Sequence, residues 1–231
     1  MIKIGGLEKV SLLDYPGKLS AIVFTYGCNL RCSFCHNPEL VIYDFNEDIE
    51  VKEDYLFEYL ENRRGKLDAV VITGGEPLIY NDIEKLIRKI RKLGYLVKLD
   101  TNGFFPDKLK DLIEKELLDY IAMDVKYSPS DYNKQTNDKN ALEKITESIK
   151  IIRNSGTDYE FRTTVVKGIH KIKDIQDIAK LIKGSKKYYI QNFRPGKTID
   201  PSFDNSNSFT EQELEKMLKG AKKYVKNSYI R

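Results

Sequence analysis

All three cysteines of the chain fall within eight residues, as Cys28-Asn29-Leu30-Arg31-Cys32-Ser33-Phe34-Cys35. A CxxxCxxC run placed directly after the apolar stretch from Ser20 to Tyr26 reads as one metal site at the end of a buried strand. Three thiolates are one ligand short of a closed structural zinc site, and a position left open to water or substrate marks chemistry. A cubane iron–sulfur cluster held by three cysteines likewise leaves one iron free. The short loop between the thiols can wrap such a cube while backbone amides reach the sulfurs. Zinc is the alternative, with His36 as fourth ligand. That arrangement is strained, because adjacent Cys35 and His36 would both have to turn toward one ion.

Other residue groups capable of chemistry recur downstream. Thr73-Gly74-Gly75-Glu76-Pro77 lacks β-carbons at its centre, which suits a tight turn and equally lets backbone approach a ligand. Asp100-Thr101-Asn102-Gly103 and Asp124-Val125-Lys126 follow apolar runs; turn and capping chemistry is their plain reading, ligand binding the other. Arg162 sits in an apolar strand pattern, where a guanidinium needs an anionic partner. Gln191, Phe193 and Arg194 end a further apolar run. Asp14 and Lys18 bracket Tyr15-Pro16-Gly17, a Pro-Gly turn. His170, the other histidine besides His36, reads as an exposed loop residue with no nucleophile paired to it.

The elements that must position these groups alternate in type. Strands are expected over 21–26, 69–73, 96–100, 120–125, 159–166 and 188–193. Amphipathic helices are expected over 51–62, 82–93, 107–118, 139–154, 173–183 and 210–226. Apolar residues at 83, 86, 87, 90 and 93 form one helical face, with Asn81 and Asp82 ahead of it and Gly94 behind. Repeated strand–helix alternation implies an α/β fold with a parallel sheet and right-handed crossovers. Six such units suggest a partial (β/α)6 TIM-like barrel, in which the working residues occupy loops at the C-terminal ends of strands. The cysteine run and every motif above except the Asp14 turn follow an expected strand or end one. The polar stretch 195–208 reads as a loose loop.

Composition excludes several classes. A net charge of +4 from 39 basic and 35 acidic residues is too mild to argue for nucleic acid. No apolar run approaches the ~20 residues of a membrane helix, and Met1-Ile2-Lys3-Ile4-Gly5-Gly6 has no signal-peptide core. An odd, clustered cysteine count argues against a disulfide framework. The expectation is a cytoplasmic protein without membrane or nucleic-acid partners, its thiols serving a metal.

The run from Phe24 through Cys28, Cys32 and Cys35 to His36-Asn37-Pro38-Glu39-Leu40 resembles the radical S-adenosylmethionine superfamily. With Leu13-Asp14-Tyr15-Pro16-Gly17-Lys18 before it and Thr73 to Pro77 after it, the chain is similar to anaerobic ribonucleoside-triphosphate reductase activating proteins, which are glycyl-radical-enzyme activases. The resemblance covers most of the chain. It implies one radical SAM domain over 1–231, with a core at about 18–195 and a C-terminal helical extension at about 208–231.

By this resemblance Cys28, Cys32 and Cys35 ligate a [4Fe–4S] cluster that cleaves S-adenosylmethionine reductively to a 5′-deoxyadenosyl radical. His36 and Asn37 line the cofactor pocket or pack beside the cluster. Gly74 and Gly75 receive the methionyl ammonium, with Glu76 orienting the loop. Asp100, Thr101, Asn102, Asp124 and Lys126 bind the ribose and carboxylate, in some relatives with a monovalent cation. Arg162 meets the cofactor carboxylate or a substrate carbonyl, Gln191 and Phe193 the adenine, and Asp14 the substrate peptide. The implied partners are a glycyl-radical enzyme as protein substrate and a flavodoxin or ferredoxin as reductant. Anaerobic ribonucleotide reductase is the first choice of partner. A pyruvate formate-lyase-like enzyme, a small-molecule substrate and a non-catalytic zinc module follow.

Overall fold

The computed structural model describes residues 2–41 and 50–231. Six parallel strands run side by side in chain order: β2 (Ser20–Thr25), β3 (Ala69–Gly74), β4 (Leu96–Thr101), β5 (Tyr120–Asp124), β6 (Asp158–Val165) and β7 (Tyr188–Asn192). They are the six units that the alternation predicts. Two further strands extend the sheet: β1 (Ile4–Ser11), antiparallel to β2, and β8 (Ser228–Ile230), parallel to β7. β1 and β8 are its two edges and do not pair with each other, so the barrel stays open. Among the described residues the helices are α1 (Glu53–Asn62), α2 (Ile83–Lys92), α3 (Pro106–Glu114), α4 (Tyr132–Thr136), α5 (Ala141–Asn154), α6 (Ile172–Leu181) and α7 (Glu211–Ala221). None is long and apolar enough to cross a membrane.

Alternation along each strand separates two faces. Val70 and Ile72 of β3, Val97 and Leu99 of β4, and Ile121 and Met123 of β5 join one large core with the helices. α2 shows why its pattern folds as it does: Ile83, Leu86, Ile87 and Ile90 share one stripe and are all buried in that core. Each such side chain contributes about 1.5–3 kcal/mol on burial. Gly94, at φ +92°, donates its N–H to Arg91 O at 2.9 Å and ends the helix.

The other face of the sheet is smaller and turns away from the helices. There Ile22, Val71 and Tyr120 cluster with Tyr15 from the β1–β2 loop, Tyr15 lying 5.7 Å from the Tyr120 ring. Lys98 and Asp100 on β4, Asp124 on β5, and Glu160 and Arg162 on β6 belong to this inner face by alternation. The register sets Asp100 beside Ala122 and Asp124 beside Arg162, which stacks a charged tier above the Tyr15–Tyr120 floor.

Two expectations change here. The stretch 195–208 is tied down rather than loose: Ile199 N donates to Cys35 O at 3.2 Å and Asp200 N to Ser33 O at 2.9 Å. Thr198 within it is buried. His170 is also buried, because its ring satisfies two backbone groups at once. Nδ1 accepts from Val166 N at 3.0 Å, and Nε2 lies 2.8 Å from Lys126 O, which fixes the donor there. Burial pushes its pKa down from the usual histidine range.

Candidate active site at the strand ends

The cysteines occupy a loop closed at its base, where Gly27 N donates to Leu40 O at 2.7 Å. Leu30 N donates to Cys28 Sγ at 3.4 Å, and Cys35 N to Cys32 O at 3.0 Å, so the chain turns tightly after the first cysteine and again before the last. Behind the loop, Phe34 meets Tyr127 and His170 edge-on, each at 6.3 Å, and those two rings stack at 6.2 Å.

The Gly-Gly segment after β3 presses on this loop. Gly75 N donates to Thr25 O and Glu76 N to Gly27 O, both at 2.9 Å. A β-carbon on Gly75 would sit 2.0 Å from Gly27 O, and one on Gly74, at φ +120°, 2.3 Å from Thr25 N and O. The missing side chains are therefore required by the neighbouring backbone itself. Glu76 is fully buried and spends its carboxylate on the next loop. Its Oε1 accepts from Leu78 N (3.1 Å) and Thr101 Oγ1 (2.9 Å), and its Oε2 from Asn102 N (2.6 Å). Burial pushes its pKa up to about 7 against the pull of these donors. Asn102 passes the link on, donating from Nδ2 to Asn29 Oδ1 at 2.8 Å.

The charged tier is continuous. Lys98 Nζ stands 2.7 Å from Asp100 Oδ1. Arg162 donates from Nη1 and Nη2 to Asp100 Oδ2, each at 3.1 Å, and from Nε to Asp124 Oδ1 at 2.9 Å. Lys126 Nζ reaches Asp124 Oδ2 at 3.2 Å. Burial alone would raise Asp124, but Arg162 and Lys126 hold it at about 2. Burial works against the charge on Lys126, yet Asp124 and the Cys32 and Cys28 sulfurs outweigh it and raise its pKa. Lys98, Arg162 and Lys126 thus pair with Asp100 and Asp124, and buried Glu160 on the same face adds its pull on Arg162.

The thiols and four members of the tier, Asp100, Asp124, Lys126 and Arg162, line one cleft of about 210 Å³. It gathers Cys28, Cys32, Cys35, His36, Asn37, Gly74, Gly75, Glu76, Asp100, Thr101, Asn102, Asp124, Lys126 and Arg162. Three candidates stay outside its lining. Asp14 is exposed in the β1–β2 loop, bonded to Ser11 Oγ, at the opposite end of β2 from the cysteines. The turn that follows it closes through Lys18 N to Tyr15 O at 3.2 Å. Gln191 pairs in register with Thr164 without lining the cleft. Phe193 is buried and stacks on His36 at 5.2 Å, and His36 Nε2 lies 2.7 Å from Arg194 O. Lys98 escaped the sequence reading, although its i, i+2 spacing from Asp100 in an apolar strand was the available signal. Thr164, Phe34 and Leu30 also line the cleft.

The sequence pattern of the Radical SAM superfamily matches residues 22–182, from β2 through α6. The chain belongs to that superfamily. It is 35% identical to a Methanocaldococcus jannaschii protein named among the glycyl-radical enzyme activating enzymes, over 99% of this chain and 95% of that one. It is 25% identical to the pyruvate formate-lyase-activating enzyme of Clostridium pasteurianum, over 79% of this chain and 77% of the relative. Among solved structures, Streptococcus suis SuiB bound to S-adenosylmethionine aligns with a TM-score of 0.65 at 16% identity. That alignment covers 89% of this chain and 48% of SuiB, a likeness of fold.

Radical SAM enzymes use a [4Fe–4S] cluster and S-adenosylmethionine, and the donor set here suits both. Burial pushes the Cys28 thiol up to about 11 and raises Cys35, a cost that metal at the sulfurs reverses. Among the described residues no three Cys, His, Asp or Glu side chains converge on a single-ion position. His36, the required fourth ligand of the zinc alternative, has one ring nitrogen on Arg194 O.

Proposed function

We propose that this chain is an activase that generates a glycyl radical on a partner enzyme, with anaerobic ribonucleoside-triphosphate reductase as the first candidate. The observation that carries this reading is the union, in one cleft, of three thiols with the cations Lys126 and Arg162, both held by buried carboxylates. S-adenosylmethionine brings a carboxylate that Lys126 and Arg162 can meet, and an amine and carboxylate that can chelate a metal. Similarity along 99% of the chain to a protein named as a glycyl-radical enzyme activase supports a protein substrate.

Cys28, Cys32 and Cys35 would hold three irons of the cluster and leave the fourth for the cofactor. When bound, the cluster supplies the single electron that breaks the sulfonium–carbon bond of S-adenosylmethionine. The chain's own work is positioning. Lys126 and Arg162, locked by Asp124 and Asp100, would orient the cofactor carboxylate without having to reorganise. Carbonyls of the Gly74–Gly75 segment would accept from the methionyl ammonium, and Thr101 and Asn102 would serve the ribose. Glu76, its oxygens already engaged, holds this frame rigid. The Tyr15–Tyr120 floor excludes water from the lower end of the inner face. No side chain is assigned as acid or base, since hydrogen-atom abstraction from a glycine Cα needs neither.

The test mixes reduced, cluster-loaded protein and S-adenosylmethionine with purified anaerobic ribonucleotide reductase or pyruvate formate-lyase under anaerobic conditions. A glycyl doublet in the electron paramagnetic resonance spectrum of either partner is expected, strongest with the reductase. Cleavage of S-adenosylmethionine with no protein radical on either would overturn the activase reading.

A further inference from the structure

The segment after β7 lies outside the strand–helix repeat, yet it grips the cysteine loop at successive points. Phe193 stacks on His36 with ring centroids 5.2 Å apart and planes 20° apart. The Arg194 carbonyl accepts from His36 Nε2 at 2.7 Å. Lys197 pairs with Glu39 at 3.3 Å, just beyond the ligands. Ile199 N and Asp200 N then donate to the carbonyls of Cys35 and Ser33. Thr198 Oγ1 donates to Asp200 O at 2.8 Å and sets the bend that aims these two amides. The segment is itself fastened to the fold, since Phe193 is buried, Phe193 N donates to Val165 O at 3.0 Å, and Ser208 Oγ donates to Phe193 O at 2.8 Å.

A loop carrying metal ligands has to be held against the entropy of its own freedom, and outer contacts commonly orient the ligands they touch. Cys35 is the ligand on which this grip falls, with its own carbonyl bonded on one side and its neighbour His36 clamped on the other. We infer that residues 193–200 form a clamp that pre-sets the Cys35 end of the ligand loop, with His36 as its positioning residue. Retention of the cluster is then coupled to order in this clamp. Because a cluster bound only to the ordered loop must stabilise that order, the coupling runs in both directions. The inference rests on the assignment of Cys28, Cys32 and Cys35 as cluster ligands.

Two measurements test it, neither of which depends on turnover. The first follows iron loss to a chelator from anaerobically reconstituted protein. His36→Ala should release iron about tenfold faster than wild type, the range typical of lost outer contacts. His36→Gln, which retains an N–H donor for Arg194 O, should fall between the two. Release from His36→Ala at the wild-type rate would overturn the clamp. Wild-type protein that takes up no iron–sulfur cluster would instead overturn the ligand assignment on which the clamp rests. The second uses wild type alone, so a poorly folding variant leaves the question open to neither side. Amide exchange at Ile199 and Asp200 should slow on cluster loading, and equal rates with and without the cluster would contradict the coupling.

Discussion

The thiol loop and the charged tier share one cleft but are held by different means. The tier stands on adjacent parallel strands, where register places Asp124 beside Arg162 and the side chains neutralise one another. The loop has no such scaffold. Its shape comes from backbone contacts: the base bond from Gly27 to Leu40, the pressure of Gly75, and the amides of residues 199 and 200. Charge in this site is therefore fixed by the sheet, whereas the thiols proposed to hold metal are fixed by what surrounds a loop. Substitutions in the tier should change cofactor binding and stability together. Substitutions around the loop should change the metal first.

The largest effect should follow from the loop. Cys32→Ala should abolish cluster-dependent cleavage of S-adenosylmethionine while leaving thermal stability of the metal-free protein close to wild type. Full retained cleavage would remove Cys32 from the ligand set. Next comes the tier: Arg162→Ala leaves the Asp100–Asp124 pair short of its central cation. Loss of one partner in a buried ion network costs about 3–5 kcal/mol, to be read from denaturant unfolding. Asp124 should then titrate above its present value of about 2. An unchanged unfolding midpoint would break the claim that the tier is a unit.

Glu76 joins the two regions and should make stability depend on pH. In the folded chain it keeps its proton up to about 7, whereas an unfolded glutamate loses it near 4.5. Between those values the folded state binds more protons, so stability should fall as pH rises, by roughly 3 kcal/mol in all. Glu76→Gln should remove that slope, and a slope that persists would assign it elsewhere. Gly75→Ala drives a β-carbon into Gly27 O and should destabilise the loop by about 1–3 kcal/mol, with faster iron loss. The smallest effect belongs to Asp14→Ala, at the far end of β2. Stability should stay within about 0.5 kcal/mol, and cleavage of S-adenosylmethionine without a partner should be unchanged. A large loss of cleavage would mean that the lower end of the barrel communicates with the cleft.

The contrast between tier and loop also explains what the sequence could reveal. β2 through β7 announce themselves because apolar runs of strand length alternate with amphipathic helices. Motifs at the strand ends follow directly, and most of the cleft lining with them. β1 was hidden by Gly5 and Gly6, which weaken any strand pattern and coincide with a register shift. β8 spans three residues, too few for periodicity. The grip of residues 193–200 runs through backbone amides and carbonyls, which every residue carries, so no residue type signals it. His170 misled for a related reason: a polar ring in a Gly-Ile-His-Lys stretch looks exposed until its two backbone partners are known.

The central claim is that the radical made in this cleft takes a hydrogen atom from a glycine of another protein. The most direct test supplies the candidate reductase prepared with α-deuterated glycine, together with reduced protein and S-adenosylmethionine, and analyses the 5′-deoxyadenosine by mass spectrometry. The account predicts deuterium transferred from the partner into the nucleoside, in step with growth of the glycyl signal. Nucleoside that stays unlabelled while the partner remains radical-free would contradict it.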